Sequence, residues 1–197
     1  MVYVILADGF EEIEAIEPTD IMRRAGIEVK TVSIMPTRRV MGAHGIPIET
    51  DIMIADCDPD DMELLMLPGG GGHVLLDASN EVHALMNHAH VNGKYLAAIC
   101  AAPSIPGKKQ LLSGKRATCY PGFEGFCYGA EMTGEKAVVD GKFITGRGPG
   151  AAAEFGFALV TLLQDAETAA ELKEAMQYKD SGRNTRRRKR TAARSLP

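Results

Sequence analysis

Short apolar runs alternate along the chain with segments in which apolar residues recur every three or four positions. The runs Val2–Ala7, Met62–Leu67 and Tyr95–Ile99 are almost uninterrupted, which is typical of strands buried on both faces. Helical spacing over Glu12–Ala25 and Glu81–Val91 predicts helices that connect these strands. Strands separated by helices in this way predict an α/β fold, a sandwich around a mostly parallel sheet.

Turn residues and periodicity assign most of the remaining chain. The further predicted elements are a strand at Glu28–Ile34, a hairpin or excursion at Arg38–Thr50, a helix at Ala101–Leu112 that contains Pro103 and Pro106, a short strand at Lys115–Cys119, a hairpin over residues 137–145 around Asp140-Gly141, and two closing helices at Ala151–Leu163 and Ala166–Met176. Pro106 is expected to kink its helix or shorten its start. The pattern predicts a single domain over residues 1–180.

Composition excludes several classes of protein. The chain has 197 residues, of which 45% are hydrophobic and 24% charged, values typical of a globular domain. Its apolar runs are far shorter than the roughly 18 residues that cross a bilayer. The N-terminus lacks the basic region of a signal peptide, so a cytoplasmic location and no membrane association are expected. Four cysteines without a CxxC pair predict reduced thiols and not a disulfide framework.

Charge divides the chain into an acidic body and a basic tail. Residues 181–197 carry seven basic and no acidic side chains, so the formal charge of −4 leaves −11 for residues 1–180. The acidic body argues against nucleic-acid binding there. The tail is predicted to be disordered. It is either a solvated extension or a patch for nucleic acid, a membrane surface or an import factor.

Cys100 is the first candidate for chemistry. It directly follows a predicted strand and precedes Ala101-Ala102-Pro103 and a predicted helix, the layout of a nucleophile elbow. A helix N-terminus favours thiolate over thiol. The alternative is a buried core cysteine, which is a common residue.

Glu14 is the candidate acid or base. It lies in Glu11-Glu12-Ile13-Glu14, just after the first strand, and in a parallel sheet the loops after the strands gather at one edge. Glu14 can therefore reach Cys100, and a buried carboxyl beside a thiolate has a raised pKa. Acids at a helix N-terminus are also ordinary caps, which is the stronger interpretation of Glu11 and Glu12.

Two glycine-rich loops fall at the same edge. Backbone amides of the loop at Pro68–Gly72 can bind an oxyanion, although the loop can also be a flexible turn. Arg147, within Thr145–Gly150, can hold an anion or lie on the surface without a role. The spacing of His83, His88 and His90 is poor for a metal, so a solvated helix face and no metal site are predicted.

These segments together resemble the ThiJ/PfpI superfamily, and within it the branch of the parkinsonism-associated deglycase and its bacterial relatives. The resemblance covers about residues 1–180 and depends on five ordered motifs. They are Glu11–Glu14, Asp20–Gly26, Leu67–Gly70, Ala97–Pro103 and Arg147–Gly150.

The resemblance implies a flavodoxin-like three-layer α/β/α sandwich, a homodimer and no cofactor. It assigns the reactive cysteine to Cys100, the protonated glutamate bound to it to Glu14, and the oxyanion-hole amides to Gly70 and Ala101. The activities it implies are a cofactor-independent glyoxalase that converts methylglyoxal to lactate, a protein deglycase, and oxidative-stress sensing through sulfinic acid formation.

The chain departs from the family pattern at two positions. Many members carry a histidine near the cysteine, where this chain has Tyr120, and peptidase-like members carry one directly after it, where this chain has Ala101. A Cys–His dyad, and with it proteolysis, is therefore not predicted. Tyr120 either orients a substrate through its hydroxyl or packs against its neighbours.

Three functions remain for this site. The first is an enzyme in which Cys100 attacks a small α-oxoaldehyde and Glu14 moves the proton. The second is a redox sensor or chaperone-like stress protein that works through oxidation of Cys100 without turnover. The third is an inert fold with a buried cysteine, a scaffold whose basic tail binds a polyanion.

Overall fold

The computed structural model describes residues 1–179 and contains a seven-stranded central sheet. The predicted tail at 181–197 lies outside the described residues. The strands are β1 Val2–Leu6, β2 Val29–Ser33, β3 Arg39–Met41, β4 Pro47–Glu49, β5 Ile52–Met53, β6 Leu64–Leu67, β7 Tyr95–Ile99, β8 Arg116–Ala117, β9 Glu131–Met132, β10 Ala137–Asp140 and β11 Phe143–Gly146. The helices are α1 Glu12–Arg24, α2 His73–Ala78, α3 Asn80–Val91, α4 Ser104–Lys108, α5 Ala152–Leu163 and α6 Ala166–Ala175.

The sheet has the order β10-β11-β7-β6-β1-β2-β5. All neighbours are parallel except the edge hairpin β10–β11. This hairpin is confirmed, but Asp140 pairs with Phe143, so the turn consists of Gly141 and Lys142 and lies one residue later than the predicted Asp140-Gly141. The strands β3 and β4 pair separately as an antiparallel ribbon, which is the hairpin expected within Arg38–Thr50. The mostly parallel order brings the carboxyl ends of β1, β6, β7 and β11 to one edge of the sheet.

Helices cover both faces of the sheet, so the predicted α/β/α sandwich is confirmed. On one face α1 packs against α5, and α5 against α6, over a core that includes Leu6, Phe155 and Val160. On the other face α3 packs against β6 and β7, over a core that includes Ile5 and Met86. In the part of the chain that is described, no helix is long and apolar enough to span a membrane.

The helix predicted at Ala101–Leu112 is much shorter than expected. Only Ser104–Lys108 is α-helical, because residues 101–103 form turns after Cys100 and Gln110 adopts a positive φ of 59°. Pro106 is the third residue of the remaining helix, which begins at Ser104 and not at Ala101. The predicted shortening of the start of this helix therefore agrees with the structure. The consequence is that no helix begins directly at Cys100.

On the other face of the sheet, one helix was missed from the sequence and one prediction needs correction. The helix His73–Ala78, immediately after the glycine run, was not predicted from the sequence. The face of α3 that carries His83 and His88 is not fully solvated, since both side chains are half-buried. His83 Nε2 lies 2.7 Å from the carbonyl oxygen of Asp77, so this histidine serves to hold α3 against α2.

Candidate active site

Four loops meet at the carboxyl edge of the sheet and form the candidate site. The loop after β1 leads into α1 and brings Glu14, and the loop after β6 brings Gly69 and Gly70. Cys100 follows β7, and Arg147 follows β11. Loops that follow neighbouring parallel strands are where α/β sheets bind their ligands.

Cys100 occupies the tight turn predicted for it. Its φ is 65°, a left-handed conformation that costs a residue with a side chain of order 1–3 kcal/mol. The turn is held because the Cys100 N–H donates to the carbonyl oxygen of Gly146 at 2.9 Å. The neighbouring strand thus fixes the direction in which the thiol leaves the sheet.

Glu14 is fully buried beside that thiol. It lies in the first turn of α1, where the carboxylate of Glu11 caps the helix by accepting from the Glu14 N–H at 2.7 Å. Glu14 Oε2 accepts a hydrogen bond from the Gly69 N–H at 2.9 Å, and the Cys100 side chain lies beside the same carboxylate oxygen, against Gly69. The other oxygen, Oε1, is buried without a hydrogen-bond partner among residues 1–179. Burial raises the pKa of Glu14 to about 7, with a smaller contribution from the charge of Glu11.

The ionisation of Cys100 differs from the sequence-based expectation. Burial, followed by the charge of Glu14, raises the pKa of Cys100 to about 12, whereas a helix N-terminus was expected to lower it. The helix α4 begins only at Ser104 and has five residues, so it supplies little dipole at the sulfur. At neutral pH Cys100 is therefore a thiol, while Glu14, with a pKa of about 7, is divided between its carboxylate and carboxylic acid forms.

Two backbone amides point at the sulfur of Cys100. They belong to Gly70 and Ala101, and their hydrogen bonds oppose the rise in the pKa of the thiol. Gly70 has a φ of +80° and lies against the backbone of residues 9–11, which turns its N–H toward the site. The structure thus brings Gly70 and Ala101 together with Cys100 and Glu14. Their roles in a reaction stay predictions.

Tyr120 is attached to the site through its backbone. Its N–H donates to the carbonyl oxygen of Cys100 at 2.8 Å, and its side chain is 47% exposed. The ring lines a cavity of about 360 Å³ with Arg147, Lys136 and the segment 148–151. A β-carbon built on Gly148 would lie 3.1 Å from the Tyr120 ring and 4.0 Å from Glu14 Oε1, so the cavity adjoins the buried carboxylate.

Two contributors to the site were not singled out by sequence. Gly69 supplies the N–H that binds Glu14, and the glycine run was its only signal. Lys136 reaches the cavity from the segment before β10 and forms an ion pair with Glu154. Nothing in the sequence distinguishes this lysine from other surface lysines.

One group of potential metal ligands converges in the described residues. Atoms of Glu11, Glu12 and His44 lie within 4.8 Å of one another. Their carboxylates already have protein partners, because Glu11 caps α1 and Glu12 accepts from the His44 backbone at 2.6 Å and contacts its ring at 2.7 Å. These contacts show that the cluster connects α1 to the loop of the ribbon β3–β4.

Comparison with curated proteins shows extensive similarity. The chain is 36% identical over 175 residues to the DJ-1 homolog B of Arabidopsis thaliana, covering 87% of this chain but only 40% of that protein's length. It is 30% identical over 151 residues to a deglycase of Thermococcus kodakarensis, covering 76% of this chain and 90% of the deglycase. The chain thus spans less than half of the plant relative and nearly all of the archaeal one.

A solved structure and a family model also match this chain over most of its length. The oxidised DJ-1 of Toxoplasma gondii superposes with a TM-score of 0.85 at 30% identity, covering 91% of this chain and 98% of that one. The model of the DJ-1/PfpI family matches residues 1–162. The resemblance stated from the motifs is confirmed, and this chain belongs to the DJ-1/PfpI family.

Proposed function

We propose that the protein is a cofactor-independent enzyme that acts on small α-oxoaldehydes through Cys100. The observation that carries the proposal is the juxtaposition of the Cys100 thiol and the buried Glu14 carboxylate, which both lie against Gly69. It pairs a nucleophile with a base whose pKa of about 7 matches neutral pH. Similarity to a protein named as a deglycase supports chemistry at carbonyl adducts.

The first step uses the pair as nucleophile and base. Glu14 accepts the thiol proton while the sulfur of Cys100 attacks the aldehyde carbon of methylglyoxal. The carbonyl oxygen becomes an oxyanion that the N–H groups of Gly70 and Ala101 stabilise. Glu14 then passes its proton to that oxygen, and a hemithioacetal results.

The second step moves a proton between neighbouring carbons. Glu14, again a carboxylate, takes the proton from the former aldehyde carbon and returns it to the adjacent former ketone carbon, while the hydroxyl proton of the hemithioacetal moves to the former ketone oxygen. The product is a thioester of lactate on Cys100, which water hydrolyses to release lactate and the thiol. The balance is one methylglyoxal and one water to one lactate, and it requires only a nucleophile and an acid/base.

Consumption of methylglyoxal without glutathione or added metal tests this proposal. We expect the wild type to form lactate and Cys100→Ser and Glu14→Gln to lose turnover. The matched controls are Cys57→Ser, at a half-buried thiol away from the site, and Glu17→Gln, one turn further along α1. Both controls should retain turnover, and activity retained in Glu14→Gln would eliminate the role of Glu14.

A redox sensor is the second candidate. The observation that favours it is the set of donors around the sulfur, namely the N–H groups of Gly70 and Ala101, which also suit a sulfinate. The similar structure of the Toxoplasma protein is an oxidised form. Mass spectrometry after mild peroxide should place oxygen on Cys100 first, and uniform oxidation of all four cysteines would count against this function.

For the expected homodimer we propose α1 as part of the contact. Ile13 and Ile16 on this helix are 50% and 40% exposed, and apolar side chains of this size gain by being covered. Sedimentation velocity should give a dimer for the wild type. A monomeric wild type would reject the assembly.

A further inference from the structure

The carboxylate of Glu14 has one oxygen that the protein itself does not satisfy. Its Oε2 accepts from the Gly69 N–H at 2.9 Å and lies on the side of Cys100, whereas its Oε1 is buried without a hydrogen-bond partner among residues 1–179. An unpaired carboxylate oxygen in the interior costs free energy unless a water or a ligand binds to it. Oε1 therefore marks a binding place for a small polar molecule.

Gly148 and Tyr120 bound this place on the side away from Gly69. A β-carbon built on Gly148 would lie 4.0 Å from Glu14 Oε1, and 3.1 Å and 3.7 Å from the Cδ2 and Cε2 atoms of Tyr120. Because Gly148 has no side chain, a space is left between the carboxylate oxygen and the edge of the aromatic ring. Gly148 and Tyr120 also line the cavity of about 360 Å³, so water can reach Oε1 from that cavity.

The backbone does not require glycine at position 148. Its φ of 162° and ψ of −171° are extended, a conformation that residues with a side chain also adopt. The closest neighbour of an added β-carbon is the Tyr120 ring, whose residue is 47% exposed and can therefore shift. A substitution at Gly148 thus changes the space beside Glu14 and leaves the course of the chain as it is.

We propose that this space holds the water that hydrolyses the thioester on Cys100, with Glu14 Oε1 as its base. The inference rests on the proposed function, since it places the water of that reaction's last step. Oε1 takes one proton from the water while the water oxygen attacks the thioester carbon. The C–S bond then breaks, Glu14 gives its proton to the departing sulfur, and the acid and the Cys100 thiol are released.

The two oxygens of this one carboxylate thereby serve different partners. Oε2 lies on the side of the sulfur, where the proton of the thiol moves, and Oε1 lies on the side of Gly148, where water enters. Burial raises the pKa of Glu14 to about 7, so a carboxylate that can accept a proton from water is present at neutral pH. This step needs no histidine, in agreement with the tyrosine at position 120.

Acylation of the full chain by an activated ester isolates the water step. p-Nitrophenyl acetate transfers its acetyl group to Cys100 without any proton transfer between carbons. The initial burst of p-nitrophenolate measures acylation, the later steady rate measures hydrolysis of the acetyl thioester, and mass spectrometry of the quenched chain locates the acetyl group. We expect Gly148→Ala to keep the burst and to slow the steady rate about 100-fold, because the methyl group excludes water from Oε1. Cys100→Ser should show no burst.

Two further variants separate loss of the water from a disturbed fold. Gly125→Ala adds a methyl group where a β-carbon would meet nothing within 4 Å, and its steady rate should equal that of the wild type. The double variant Gly148→Ala/Tyr120→Ala removes the ring against which the methyl group packs, so it should recover most of the steady rate. A steady rate of Gly148→Ala equal to that of the wild type, or no recovery in the double variant, would overturn the proposal.

Lactate formation from methylglyoxal, measured on the same proteins, separates this inference from the proposed function. A steady rate that depends on Gly148, in a wild type that forms no lactate, would reject the proposed enzyme and support the water site. Lactate formation by a wild type whose steady rate Gly148→Ala leaves unchanged would reject the water site alone. A wild type that is not acetylated at Cys100 would overturn both.

Discussion

The thiol of Cys100 and the carboxylate of Glu14 act on each other in opposite directions, because the thiol lowers the pKa of Glu14 whereas the charge of Glu14 raises the pKa of Cys100. Glu14 is fully buried, so burial raises its pKa to about 7. Its charge then adds to the burial that raises the pKa of Cys100 to about 12. The pair is therefore neutral well below pH 7 and holds a single negative charge well above it, and a second proton leaves only under strongly alkaline conditions.

Removing the charge of Glu14 should make Cys100 easier to ionise. In Glu14→Gln the buried negative charge beside the sulfur is gone, while the amides of Gly70 and Ala101 still donate to it. We expect the midpoint of iodoacetamide alkylation against pH to move to lower pH by roughly one to three pH units. Alkylation of the single remaining cysteine in a Cys57/Cys119/Cys127 triple serine background measures it.

The same variant should lose methylglyoxal turnover even though its thiol ionises more readily. Loss of turnover together with easier ionisation of the thiol distinguishes a general base from a residue that only changes the reactivity of the Cys100 sulfur. An unchanged alkylation midpoint would show that the Glu14 charge does not reach Cys100. Glu17→Gln serves as the control, and its midpoint should equal that of the wild-type site.

Glu14 should also make stability fall as the pH rises. Its folded pKa of about 7 lies above the unfolded value, so between pH 4.5 and 7 the folded state binds more protons than the unfolded state. The stability lost across this window corresponds to about 3 kcal/mol. Glu14→Gln lacks this loss, so its stability relative to wild type should increase as the pH is raised from 5 to 8.

Urea unfolding at pH 5 and pH 8 measures this difference. The difference between the unfolding free energies of wild type and variant removes the contribution of carboxylates whose pKa is lowered in both proteins, such as Asp51 beside Thr31 and Arg23. Glu171→Gln, at an exposed carboxylate of α6, is the control and should show no such divergence. Parallel pH dependence of wild type and Glu14→Gln would contradict the raised pKa.

Gly69 should tolerate no side chain, whereas its neighbour Gly71 should. A β-carbon on Gly69 would lie 2.6 Å from Cys100 Cβ and 2.7 Å from Glu14 Oε2, while one on Gly71 would meet nothing within 4 Å. We expect Gly69→Ala to cost about 1–3 kcal/mol through overpacking. It should also reduce turnover by about 100-fold, because it displaces the reacting pair.

Gly71→Ala is the matched control for this effect within the same loop. It should keep both stability and turnover close to those of the wild type. Denaturant unfolding and lactate formation measure the two quantities for each variant. Equal behaviour of the two alanine variants would show that the loop is not packed against Cys100 and Glu14.

The elements that a local hydrophobic pattern is sufficient to define were predictable from sequence. The uninterrupted run Val2–Ala7 matches β1 in the middle of the sheet, and the spacing over Glu12–Ala25 matches α1 to within one residue. The proximity of Glu14 and Cys100 followed from the rule that loops after parallel strands share an edge. These predictions need only local patterns and one topological rule.

The sequence-based predictions that were wrong concern features that depend on contacts between distant segments. The length of α4 is limited by the turn that β11 imposes on Cys100 through Gly146, which no local pattern reports. The direction of the Cys100 pKa depends on burial and on the charge of Glu14, and both exist only in the folded chain.

Tyr120 should affect substrate binding more than folding. Its ring is 47% exposed and lines the cavity with Arg147, so its hydroxyl can donate to a bound carbonyl or hydroxyl group. One such bond contributes about 1 kcal/mol, so Tyr120→Phe should raise KM for methylglyoxal about fivefold while kcat and the unfolding free energy stay near wild type. Tyr120→Ala, which also removes the cavity wall, should raise KM further. If Tyr120→Phe has the KM of the wild type while Tyr120→Ala does not, the ring acts by packing and the hydroxyl has no part in binding.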